Sequence, residues 1–210
     1  MTARVYLAGP DVFLPDAEAW AARRAAICGR HGLAAVSPLD SLADEAAWAH
    51  LPEWQRIALR NEAHIRGCQA VIANLTPFRG PSADVGTVYE VGYARALGLA
   101  VFGYTNCPVP FTQRSMDYVL THSVATGSPG RVWRDGDGLL IEQFKRHDNL
   151  MIEGGIVGSG GVLVVPESEP ADRWRDLTTF ETCVALVARI LTGSVPRAEE
   201  DCEADQRDAH

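Results

Sequence analysis

The chain has 210 residues, 47% of them hydrophobic, and a formal net charge of -8; one domain of that length can bury a real core, and an acidic balance without a basic cluster argues against a nucleic-acid surface. No apolar run approaches the ~20 residues of a membrane span, and the first residues lack a charged segment followed by a long apolar one, so a cytoplasmic protein that binds no membrane is expected. The five cysteines, Cys28, Cys68, Cys107, Cys183 and Cys202, are scattered and odd in number, without a CxxC or a His pair at ligand spacing, which reads as reduced thiols and no metal site.

Residues 4–8, RVYLA, form a short apolar run ending in Gly9-Pro10, the pattern of a first buried strand and its turn. A helical pattern follows from about residue 15 to 31, with Gly32 as its stop. LAAVS (33–37) is a second strand, residues 40–51 are loop or short helix, and 53–66 form a helix opened by Pro52. AVIANL (70–75) is the third strand. This β-α-β-α-β order predicts right-handed crossovers and a parallel sheet covered on both faces.

The stretch from Val71 to Gly98 organises the chain: an apolar strand, a loop rich in Pro and Gly, then an amphipathic helix. Asp84 is placed to cap that helix through a free backbone N–H, and Gly98 is its natural stop. Val88, Val91, Tyr93, Ala94 and Leu97 fall on or near one face and can cover a sheet, while Glu90 points elsewhere. An offset of six residues turns roughly 600° on an ideal helix and leaves two side chains about 120° apart. Asp84 and Glu90 therefore converge most easily if Asp84 stays in the loop and leans over the first turns. Polar groups gathered where a strand ends at the carboxyl edge of a parallel sheet make a ligand geometry. The plain alternative is that acids near a helix N-terminus complement its dipole.

Residues 100–104, AVFGY, are the fourth strand. Residues 105–138 are dense in Pro, Gly, Ser and Thr, with a short helix expected around 112–120. A helix is expected over 138–148, broken by the glycines of DNLMIEGGIVGSGG. GVLVV (161–165) is the last strand and 178–191 the final helix. Residues 1–195 read as a single domain, and 196–210 as an acidic disordered tail.

The run NLTPFRGPSADVGTVYEVGYA, with VYLAGPDVF near the start and DNLMI near residue 150, resembles the nucleoside 2-deoxyribosyltransferases. The likeness spans residue 4 to about 157 through three separated motifs in the expected order. It implies a flavodoxin-like three-layer α/β sandwich with a mainly parallel five-stranded sheet. It also implies an enzyme that moves 2-deoxyribose between nucleobases of deoxynucleosides through a covalent sugar-Glu intermediate, with no cofactor.

The resemblance makes Glu90 the nucleophile, held by a hydrogen bond from Tyr6, with Asp84 beside it; read alone, Tyr6 is equally a core aromatic. Phe13 is a candidate to stack on a base, though a loop aromatic can also cap a core, and Asp11 or Asp16 to meet its polar edges. Gly86, in the first turn of the helix, is a further substrate-binding candidate. The family has another upstream Asp or Asn at the substrate. A solvated helix face accounts for Asn61 and Glu62, so strand-end Asn74 is the candidate for that role. Asn149 and Met151 match an element that reaches into a neighbouring subunit's pocket near the 5′-hydroxyl, which implies a homo-oligomer with shared active sites; otherwise Leu150, Met151 and Ile152 are helix-end core.

The chemistry needs a nucleophile for the anomeric carbon and a proton donor for the departing base. A Glu can form and release a glycosyl ester while a neighbouring Asp, its pKa raised by that like charge and by burial, carries the proton, as in retaining glycosidases. Two other readings stand beside transfer. One is a 2′-deoxynucleoside 5′-monophosphate N-glycosidase, which hands the sugar to water; the other is a non-catalytic nucleotide-binding module.

Overall fold

Successive strand residues point to opposite faces, and a parallel sheet packed by helices on each side needs both faces apolar. The strands of this chain meet that condition. The structure, a computed structural model, describes residues 2–43, 45–122, 127 and 132–191. Its strands are β1 (Ala3–Ala8), β2 (Leu33–Val36), β3 (Ala70–Asn74), β4 (Ala100–Tyr104) and β5 (Leu163–Val164). They pair in the order β2-β1-β3-β4-β5, all parallel, which is the doubly wound order with a topological switch beside β1 and β3. The helices are α1 (Ala17–Arg30), α2 (Glu53–Arg66), α3 (Val85–Ala96), α4 (Phe111–His122), α5 (Leu150–Val157) and α6 (Thr178–Leu191).

The two faces bury two cores. Val5, Leu7, Ile72 and Phe102 pack with Ile27 of α1 and with Phe180, Val184 and Val187 of α6. Tyr6, Ala8, Val71 and Val101 pack on the other side with Ile65 of α2, Val91 and Ala94 of α3, and Ile152 and Ile156 of α5. The alternation along β1 thus sends Tyr6 toward α2 and α3. Cys28, Cys68, Cys107 and Cys183 are buried free thiols. Among the described residues no helix is long and apolar enough to cross a membrane. The tail expected from residue 196 lies outside the described residues.

Two expectations are corrected. Residues 138–148 are not a helix: Arg134 and Leu140 form an antiparallel bridge, and Lys145 has a left-handed φ of 53°. The carboxylate of Glu142 accepts from the backbone N–H of Leu150 and the amide of Asn149, while its carbonyl accepts from Thr112 of α4. The segment therefore spends its polar groups on its neighbours instead of an internal ladder. The helix lies over the glycines instead, as α5, capped by Asn149 accepting from the Met151 N–H, with Arg95 donating to the Gly155 carbonyl. Leu97, expected on the sheet-covering face of α3, is 44% exposed because it lies past the last helical residue as the C-cap. Gly98 follows with φ 75°, a left-handed stop that glycine adopts without strain.

The loop leaving β1 is pinned by Asp11, which is buried. Its carboxylate accepts from Arg24 at 2.9 Å, Trp20 at 3.0 Å and the Asn74 amide at 3.1 and 3.2 Å. Asp11 is thus a structural acid, and Asp16 pairs with Arg175. Arg24 lies over the Phe180 ring with its Nε and Nη2 unpartnered, so it depends on Asp11 for its counter-charge. Removing one partner of a buried pair strands the other. Asp11→Ala is expected to destabilise the fold by about 3–5 kcal/mol, read as a lowered urea midpoint with unchanged slope.

Candidate active site

The carboxyl ends of β1 and β3 open onto a cavity of about 310 Å³ between the loop after β1, the face of α2 and the first turns of α3. Tyr6 enters from β1, and its hydroxyl donates to Oε1 of Glu90 at 2.6 Å. The amide of Asn61, on α2, donates to the same oxygen at 3.1 Å. Glu90 is 8% exposed. Contrary to the expectation that it points away from the sheet-covering face, it lies on the buried stripe of α3 with Thr87, Val91 and Ala94, bonded to β1 and α2.

Burial pushes the Glu90 carboxyl up to about 7. The Tyr6 and Asn61 hydrogen bonds favour its charged form and pull the other way, while the like charge of Asp84 adds to the rise. Burial, followed by the Glu90 charge, also drives the Tyr6 phenol well up, which keeps Tyr6 a donor.

Asp84 is extended, immediately before α3, and its Oδ2 accepts from the Thr87 N–H at 2.9 Å and the Thr87 hydroxyl at 3.0 Å. It therefore stands in the loop, leaning over the first turn, and lines the cavity with Gly86 and Glu90. Phe13 lines the opposite wall. It is 58% exposed, and its outer support is Phe78, stacked at 5.4 Å, with the Arg79 guanidinium over both rings.

The remaining expected residues lie elsewhere. Asn74 is buried, holding both oxygens of Asp11 and accepting from the Thr76 N–H; it shapes the loop beneath the cavity and does not line it. Asn149 is occupied as the cap of α5, and Met151 is 74% exposed. Neither lines the cavity of its own chain. They are nonetheless tied to it. Asp148 accepts from the Ser82 hydroxyl and the N–H groups of Ala83 and Asn149, which couples the turn before Asp84 to the cap of α5. Among the described residues, no group of three or more His, Cys, Asp or Glu side chains converges as a metal site would require.

Sequence reasoning missed Ile57 and Arg60 and set Asn61 aside in favour of Asn74; all three line the cavity. Their spacing, three and four residues apart, puts them on one face of α2, and that was the available signal. Nothing local says that this face looks onto Glu90.

A family model described as nucleoside 2-deoxyribosyltransferase matches residues 5–151. An uncharacterized protein of Schizosaccharomyces pombe is 31% identical over 170 residues, covering 77% of this chain and 80% of its own. Among solved structures, a 2-desoxiribosyltransferase from Leishmania mexicana aligns with a TM-score of 0.52 and 29% identity, over 71% of this chain and 85% of that one. A conserved protein from Enterococcus faecalis V583 aligns with a TM-score of 0.50 and 17% identity, over 89% and 99% of the two chains; that likeness concerns the fold alone.

The raised Glu90 carboxyl has a consequence for stability. Between the ordinary glutamate value of 4.5 and about 7 the native state binds a proton that the unfolded chain has lost, so stability falls as pH rises through that window. Glu90→Gln keeps an acceptor for Tyr6 and Asn61 and removes the charge. The variant is expected to match the parent protein near pH 4 and to exceed it at pH 8 by roughly 3 kcal/mol, measured by denaturant unfolding at the two pH values.

Proposed function

The chain belongs to the nucleoside 2-deoxyribosyltransferase family, and from that premise we propose that it exchanges the bases of deoxynucleosides through a deoxyribosyl ester on Glu90. The observation that carries this reading is the buried Glu90 carboxylate, held on one oxygen by Tyr6 and Asn61 beside Asp84 in a largely apolar cavity.

Both hydrogen bonds fall on Oε1, so Oε2 is the atom for attack. It bonds to the anomeric carbon as the bond from that carbon to the base nitrogen breaks, and the departing base takes a proton from Asp84. An incoming base then attacks the same carbon, the ester bond breaks, and the proton returns to Asp84. Two inversions retain the configuration. Tyr6 and Asn61 hold the carboxylate in position and stabilise its charge as it leaves. The apolar walls disfavour water while the ester waits, which supports transfer over hydrolysis. Phe13 and Gly86 contact the substrate, and Asn74 acts on it through Asp11 and the loop.

The Asn149-x-Met151 element, with Met151 exposed and Asn149 half-buried, supports a homo-oligomer in which it completes a neighbour's pocket. Exposed Phe144, Leu150 and Val157 lie on the same part of the surface as Arg146 and Glu153. A single catalytic domain over residues 1–195, followed by an acidic tail over 196–210 and working in cytoplasmic nucleoside salvage, completes the proposal.

Chromatography of the protein with deoxyinosine, with and without excess adenine, tests it. Deoxyadenosine is expected only when adenine is present, and not with Glu90→Ala. Free deoxyribose with no exchanged nucleoside would sink transfer in favour of hydrolysis. A second outcome concerns pH. Glu90 must be ionised to attack while Asp84 holds the proton it gives, so kcat/KM should fall as pH rises above about 7, where the pair loses that proton; this ratio reports the free-enzyme value. Tyr6→Phe removes a bond that favours the carboxylate, and its alkaline limb should move to higher pH.

A further inference from the structure

Arg60 is the one cationic side chain among the described residues that line the cavity, and the exchange chemistry above gives it no task. Its Nη1 donates to Glu45 at 3.2 Å, on the single turn Glu45–Trp48. Its Nε is buried without a partner. A guanidinium has five N–H donors, and Glu45 takes one of them, so Arg60 has donors left for a ligand acceptor in the cavity that it lines. The same lining carries Ile57, Pro38, Leu39, Val12 and Phe13 as apolar surface, beside the polar Asn61, Asp84, Thr87 and Glu90. The apolar part suits a flat heterocycle.

On the transferase reading, on which this inference rests, we propose that Arg60 reads the base and selects 6-oxopurines over 6-aminopurines. A 6-oxopurine offers two adjacent acceptors, O6 and N7, the pair that arginine meets in guanine. Adenine replaces O6 with an amino donor, which faces the guanidinium donor to donor. Glu45 argues against the other anion-seeking role, a 5′-phosphate. A carboxylate already bound to the guanidinium repels a dianion at that position and leaves a neutral carbonyl unaffected.

The test is a competition. The protein is given deoxyguanosine as donor with equal hypoxanthine and adenine as acceptors, and the ratio of deoxyinosine to deoxyadenosine formed is measured at early times. Both products draw on one ester, so the ratio is insensitive to any loss of overall rate. The parent protein is expected to favour deoxyinosine, and Arg60→Met to lower the ratio roughly tenfold, the worth of one charge-assisted hydrogen bond. If that variant does not fold, Arg60→Lys, which keeps a charge for Glu45 and lacks Nε–H, is expected to move the ratio the same way. An unchanged ratio overturns the proposal. So does an unchanged ratio accompanied by a selective loss of turnover on deoxyinosine 5′-monophosphate, which assigns Arg60 to phosphate. Failure of the parent protein to form any exchanged nucleoside counts against transfer instead. In that case the ratio of Kd values for hypoxanthine and adenine, by calorimetry on parent and Arg60→Met, decides the role of Arg60: a ratio that shifts toward adenine in the variant supports it, and an unchanged one overturns it.

Discussion

A carboxylate held out of water is the constraint on which the rest of this structure depends. Glu90 is 8% exposed, and its charged form is disfavoured by burial and by Asp84. The fold tolerates it because Tyr6 and Asn61 both donate to it, from a strand and from a helix separated by more than fifty residues of chain. Each donor exists only if its element is in register. Tyr6 must fall on the α3 side of β1, which the two-residue alternation decides. Asn61 must face inward on α2, which the packing of Ile65 against the same core enforces. A proton-binding group near neutrality is thus built from core packing, and it carries a stability cost that an enzyme accepts where chemistry requires it.

The irregular loops around the cavity are held by the same device used twice more. Asp11 gathers Arg24, Trp20 and Asn74 beneath the loop after β1, and Asp148 gathers Ser82, Ala83 and Asn149 beneath the turn that carries Asp84. A carboxylate has about four acceptor sites, enough to satisfy several loop donors that no ladder reaches. Burial raises the Asp148 carboxyl, while its hydrogen bonds and the Arg114 charge oppose that rise. The second network also joins the cavity to the cap of α5.

Much of this was legible in the chain. The apolar runs and glycine stops located all five strands and the helices α1, α2, α3, α4 and α6 within a few residues, because both faces of a parallel sheet must be apolar and helix ends need left-handed residues. Asp84 read as an N-cap and is one, since capping is a local interaction. The segment 138–148 misled for the opposite reason. Its helical composition was outweighed by Glu142, whose carboxylate caps α5 and whose carbonyl serves α4, contacts that no local window contains.

Among the acids and amides, local reasoning could not tell ligand from scaffold. Asn74, at a strand end, looked like the pocket residue, and Asn61, in mid-helix, looked solvated; the structure gives Asn61 to Glu90 and Asn74 to Asp11. Sequence by itself determined the order of elements, the parallel sheet and the spacing of Asp84 from Glu90, because these follow from periodicity, capping and turn chemistry within short stretches. Only the tertiary structure decided which side chains share the cavity, since the rotation of α2 about its axis and the depth of each loop are set by packing against distant strands, and the same residue type serves as donor, cap or buried strut according to that packing.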